Sequence, residues 1–162
     1  MDSVHQLYAG LNYTNVQTYI QSGNVIFRSA VSDTRLIEKT ITEKILQLQG
    51  FKVPVLVLTL EELKNALENN PFMKDPAKDN AFMHLTFLSD IPDIYLTEKI
   101  PKENYLPDEF FISGKTIYLY CPNGYGNTKL SNTFFESKFK LTATTRNLRT
   151  AKELMALAEK TS

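Results

Sequence analysis

Cysteine is nearly absent from these 162 residues, and the single one, Cys121, excludes an intrachain disulfide and suits a reducing compartment. Charge of one sign is lacking too. Eighteen basic and eighteen acidic side chains cancel, so no global field favours nucleic acid or an anionic membrane. No stretch approaches the ~18 apolar residues of a membrane span. The opening Met1-Asp2-Ser3-Val4-His5 has neither the basic nor the apolar region of a signal peptide. Together these absences predict a cytoplasmic protein without membrane contact. Histidine is scarce as well. His5 and His84 have no cysteine or second histidine at ligand spacing, so no metal site or cofactor is expected. No Gly-x-Ser-x-Gly elbow occurs, Cys121 has no base near it in sequence, and Glu38, Glu43, Glu61 and Glu62 fall on solvated helix faces. No catalytic constellation is recognisable.

What is present is an apolar fraction of 43%, enough for a packed core in one domain or two small ones. Val4, Leu7, Tyr8 and Leu11 recur at helical spacing. Val16, Thr18 and Ile20 then alternate with polar neighbours. A two-residue turn at Ser22-Gly23 predicts a hairpin pairing Ile20 with Val25 and Thr18 with Phe27 on the core face. Asp33 and Gly50 bracket a helix striped by Leu36, Ile37, Ile41, Ile45 and Leu48. The apolar run 53–58 reads as a strand, placed at an edge by Pro54. Thr59-Leu60-Glu61-Glu62 reads as a capping box, and the two prolines and three charges of 70–78 read as a linker.

The order then repeats. A strand over 81–88 and a helix over 94–100 lead to a second hairpin, turned by Gly114-Lys115, with Ile112 opposite Ile117 and Phe110 opposite Leu119. A helix over 128–139, a short strand over 142–145 and a final helix from Leu148 follow. The second half is β-α-β-β-α-β with a trailing helix, the split βαβ order. The expectation is an α+β protein of two ferredoxin-like subdomains, 1–76 and 77–162. In the first, the central first strand is missing.

Thr18-Tyr19-Ile20-Gln21-Ser22-Gly23-Asn24-Val25, Asn70-Pro71-Phe72, Pro122-Asn123-Gly124-Tyr125-Gly126, Lys129-Leu130-Ser131-Asn132, Ala143-Thr144-Thr145-Arg146-Asn147 and Arg149-Thr150 stand in this order along the chain. They resemble the bacterial family called domain of unknown function 1697. The resemblance implies a cytoplasmic protein of two ferredoxin-like subdomains and implies no activity. Members begin with a strand and a loop similar to Arg-Gly-Ile-Asn-Val-Gly-Gly, whereas Met1 here falls at about the start of the first helix. The expectation is therefore an N-terminally shortened chain. Strand edges flanking the gap would carry unpaired backbone groups, each costing ~1–3 kcal/mol if buried, and would invite pairing with another chain.

Two candidate sites emerge. The loop 123–127 joins a strand to a helix, an arrangement that holds anions on backbone N–H groups. Lys129 and, further on, Arg146 and Arg149 stand at helix starts, where a cation opposes the helix dipole. Asn123, Gly124, Tyr125, Gly126, Lys129, Asn132, Arg146, Asn147 and Arg149 thus predict a shared site for a small anionic or phosphorylated ligand. The plainer reading is tight turns with Asn127, Thr128 or Asn147 as caps. The alternative site is a sheet face. Phe82 and His84, with Phe111, Tyr118 and Tyr120, would form a platform for single-stranded RNA if nothing covers them. A protein-interaction module without a small ligand is the third reading.

Overall fold

The structure is a computed structural model that describes residues 2–19 and 23–161. The chain forms two compact units, one of Met1–Lys64 with Lys152–Ser162 and one of Asn65–Ala151. The expected break at 76/77 therefore moves forward, and the end of the chain returns to the first unit. The physical reason lies in 70–78, which is no free linker. Asn70 and Phe72 are buried, and the Phe72 ring lies 6.2 Å from that of Tyr120.

In the first unit, helix α1 (Asp2–Gly10) precedes strands β1 (Thr14–Tyr19) and β2 (Asn24–Arg28), a two-stranded antiparallel sheet. Thr18 faces Val25 and Gln17 faces Ile26. Tyr19 faces Asn24, so the register is offset by two residues from the one expected. Ile20 and Ser22 lie outside the described residues, but Val25 already has Thr18 as its partner. The apolar faces survive this two-residue offset because side chains alternate with period two. Between Thr14 and Gln17 the register shifts, with Asn15 at φ 53°. This is a bulge at a residue that tolerates the left-handed region.

Helix α2 (Thr34–Gln49) starts where Asp33 accepts from the N–H groups of Arg35 and Leu36 at 3.1 and 3.3 Å. It ends at Gly50, whose φ of 80° is the left-handed cap position. Leu7, Tyr8, Tyr13, Ile37 and Ile41 form the core of this unit, and Val16, Val25, Phe27, Val55 and Val57 pack against it. Rings of Tyr13 and Phe27 lie 4.6 Å apart, and burial pushes the Tyr8 hydroxyl up to about 12. The expected strand over 53–58 pairs with nothing among the described residues, and the N–H of Val57 donates instead to Glu38 Oε2 at 2.8 Å.

Helix α3 (Leu60–Glu68) opens on the expected reciprocal box. Thr59 N–H donates to Glu62 Oε1 at 3.0 Å, and Glu62 N–H donates to Thr59 Oγ1 at 3.1 Å.

The second unit holds β3 (Met83–Leu88), α4 (Ile94–Glu98), β4 (Glu109–Ser113), β5 (Thr116–Tyr120), α5 (Asn132–Phe139) and β6 (Ala143–Asn147). Helix α6 (Leu148–Thr161) follows. The four strands form one antiparallel sheet in the order β4-β5-β3-β6. Ile112 pairs with Ile117 and Phe110 with Leu119, the expected register, and Gly114 takes φ 57° at the first turn position. Ile117 is fully buried and Ile112 partly so. Leu119, Ile117 and Phe110 pack beneath Leu130, Phe135 and Phe139 in one cluster. Among the described residues the fold is thus α and β mixed, with two antiparallel sheets and six α-helices. Among the described residues no helix is long and apolar enough to cross a membrane.

Candidate functional site

The sheet face decides the RNA platform. His84 pairs with Leu119 and Thr86 with Ile117, so both lie on the face packed by α5. Tyr118 pairs with Leu85 and Tyr120 with Met83, on the opposite face. The expected set is therefore split between two faces. Nor is the second face open. Tyr118 is 2% exposed and its hydroxyl donates to the Ala66 carbonyl at 2.7 Å. The Tyr120 ring carries Lys78 Nζ at 4.6 Å, and that ammonium is held by Glu109 at 2.6 Å. Phe111 is exposed, and Phe82 sits in a short 3-10 turn, its carbonyl accepting from Cys121 N–H. No continuous stacking surface results.

The anion cluster also fails to assemble as expected. Helix α5 begins only at Asn132, capped by Ser131 Oγ on Phe134 N–H at 3.1 Å, so Lys129 is not in a first helical turn. Arg146 lies inside β6 opposite Leu85, on the sheet face away from His84 and Thr145. Its guanidinium donates to Thr144 Oγ1 at 2.7 Å and to the Thr145 carbonyl at 2.9 Å. Burial lowers its pKa. Arg149 is exposed on α6, and Asn147 acts as a cap, its Oδ1 accepting from Thr150 N–H at 2.8 Å.

Asn132 and Tyr125 serve the α5 side of the sheet. The Tyr125 hydroxyl accepts from Asn132 N–H at 2.8 Å, and its ring stacks on His84 at 4.7 Å. Asn132 Nδ2 donates to the Ala143 carbonyl, its Oδ1 accepts from Thr145 Oγ1, and Thr145 meets Thr86 Oγ1 at 2.8 Å. These contacts tie the loop to β3 and β6. Burial lowers the His84 pKa, and its Nδ1 is buried without a hydrogen-bond partner.

Gly124 takes φ 92°, and residues Tyr125–Asn127 make one 3-10 turn, with Gly126 exposed. Asn123 and Lys129 come together with Asn127 and the segment 104–108 around an open cleft of about 190 Å³. Asn104 and Asp108 were missed from sequence. Thr128 Oγ1 joins the two walls, donating to Asp108 Oδ2 at 2.6 Å and accepting from Leu130 N–H at 3.1 Å. Asp108 Oδ1 is buried without a partner. Cys121 is fully buried, and burial pushes its thiol up to about 11. Such a thiol is a core hydrophobe and no nucleophile at neutral pH. No group of three potential metal-ligating side chains occurs among the described residues.

No curated protein matches the chain. Among solved structures, the conserved bacterial protein SP0830 from Streptococcus pneumoniae is similar, with 22% identity and a TM-score of 0.67. The similarity covers 98% of this chain and 88% of that one, and at this identity it speaks for the fold alone. The family model described as protein of unknown function, DUF1697, matches residues 1–118, well over half of the length, and the chain belongs to that family.

Proposed function

We propose that this protein is a non-catalytic module that binds a small polar ligand at the loop cleft of its second unit. The observation that carries the reading is the lining. One carboxylate (Asp108), one ammonium (Lys129) and three carboxamides (Asn104, Asn123, Asn127) share one concave surface. Few convergent polar groups on a concave wall are what fix a small ligand's orientation. A carboxylate beside the ammonium favours a neutral or zwitterionic molecule over a phosphorylated one, since a dianion there would meet Asp108 as well as Lys129. The buried thiol of Cys121 supports a cytoplasmic location.

Both units, in this reading, follow the ferredoxin-like plan. In the second, support comes from the order β4-β5-β3-β6 with α4 and α5 as crossovers. In the first, support comes from the hairpin, α2 and 53–58 following one another as β4–β5, α5 and β6 do.

A thermal-shift screen of the intact chain tests the ligand reading, using neutral sugars, amino acids, sugar phosphates, nucleotides and short RNAs. Stabilisation by an amino acid or sugar, lost in Lys129→Ala and in Asn123→Ala, is the expected result. Stabilisation confined to phosphates or RNA, or unaffected by both substitutions, overturns it.

A further inference from the structure

Asn123 is the one asparagine in the chain that glycine follows. The turn itself calls for that pairing. Gly124 takes φ 92°, a left-handed position that favours glycine over any residue with a side chain. With no Cβ on the following residue, nothing crowds the approach of the Gly124 nitrogen to the Asn123 carboxamide. Asn123 is exposed, and its carboxamide makes no hydrogen bond among the described residues. Those of Asn70, Asn132 and Asn147, by contrast, are tied to the backbone.

The peptide group between Asn123 and Gly124 is held at both ends. Its N–H donates to the Cys121 carbonyl at 2.9 Å, and its carbonyl accepts from Asn127 Nδ2 at 2.8 Å. The two bonds act in opposite directions on the nitrogen. The first must open before the nitrogen can turn to attack. The second stabilises the deprotonated peptide, whose charge rests largely on that carbonyl oxygen.

We propose that Asn123 is a site of intramolecular deamidation, promoted by the hydrogen bond from Asn127. The Gly124 nitrogen gives its proton to hydroxide and attacks Cγ of Asn123. The Cγ–Nδ2 bond breaks, and ammonia leaves with a proton from water. The cyclic imide that remains takes up one water and opens at either carbonyl, giving aspartate or isoaspartate at position 123. Ring closure is unimolecular, which is why an otherwise inert carboxamide reacts. The product carries a carboxylate where a carboxamide lined the cleft, so that this group and Asp108 both stand against the ammonium of Lys129. The reaction takes no ligand, and the proposal is independent of the ligand reading.

The test ages the intact chain in mildly alkaline buffer, digests it at acid pH and maps the asparagines by mass spectrometry, with an isoaspartyl methyltransferase assay for the isomer. Position 123 should convert ahead of Asn104, which is also exposed but is followed by Tyr105. Its rate should rise in proportion to hydroxide. Asn127→Ala removes the donor to the carbonyl, and Asn127→Asp puts an acceptor there. Each should slow conversion about three- to tenfold, the worth of one hydrogen bond in a rate, with thermal denaturation showing that both variants are folded. No conversion at position 123, conversion no faster than at Asn104, or equal or faster conversion in either Asn127 variant overturns the proposal. None of these results bears on ligand binding, which the thermal-shift screen reads separately.

Discussion

The hydroxyl of Tyr118, in the middle of β5, donates to the carbonyl of Ala66 in α3 at 2.7 Å. The ring is 2% exposed, so this bond is made in a low-dielectric setting and closes the sheet face on which it lies. Tyr118→Phe removes the donor and leaves the carbonyl unsatisfied. Urea denaturation should show a loss of about 1–3 kcal/mol with an unchanged slope. An unaltered midpoint would mean that water replaces the hydroxyl.

Acid should destabilise the protein through His84. Burial lowers its pKa below the ordinary 6.5, so the unfolded chain binds this proton more readily than the folded one. The corresponding stability is complete above 6.5 and is lost as pH falls through the folded value. His84→Gln should flatten the dependence of Tm on pH below 6.5. A wild-type profile level across that window would contradict the assignment.

The interior of the second unit hangs on Asn132. It joins Ala143 and Thr145 through opposite ends of one carboxamide. Asn132→Asp keeps the shape but replaces the donor to the Ala143 carbonyl by an acceptor. It should therefore cost as much as Asn132→Ala or more, on the order of 1–3 kcal/mol by denaturant titration. Equal stability of Asn132→Asp and wild type would show the Ala143 bond to be idle.

Thr59 and Glu62 are coupled through two backbone bonds. Thr59→Ala should cost about 1 kcal/mol, and the double variant with Glu62→Ala less than the sum of the single ones. Strict additivity would deny the reciprocal arrangement.

Much of this architecture is legible because its determinants are local. Asp33, Gly50, Thr59 with Glu62, and Gly114 each act within a few residues, and each occurs where the sequence places it. The second hairpin reads correctly because a two-residue loop leaves one register. The first does not: Tyr19 pairs with Asn24, two residues from the expected register, and Asn15 adds a bulge further along β1. Strand β3 misleads for another reason. Leu85 and Thr86 are both wholly buried, so alternation carries no information about which face meets α5. The 3-10 turn at Asn80–Phe82 also breaks the alternation assumed to run from Ala81. The cleft is least legible. Asp108 and Thr128 stand 20 positions apart and meet only once β4 and the loop after β5 are in place.

Gln17 Nε2 donates to Thr161 Oγ1 at 3.0 Å across 144 positions of chain. Its consequence concerns biosynthesis. Synthesis proceeds from the N-terminus, so the hairpin of the first unit can make this contact only after 144 further positions have been joined. The second unit is continuous in sequence and complete by Ala151. It can therefore close on itself before Thr161 reaches Gln17, so the second unit need not wait for the first.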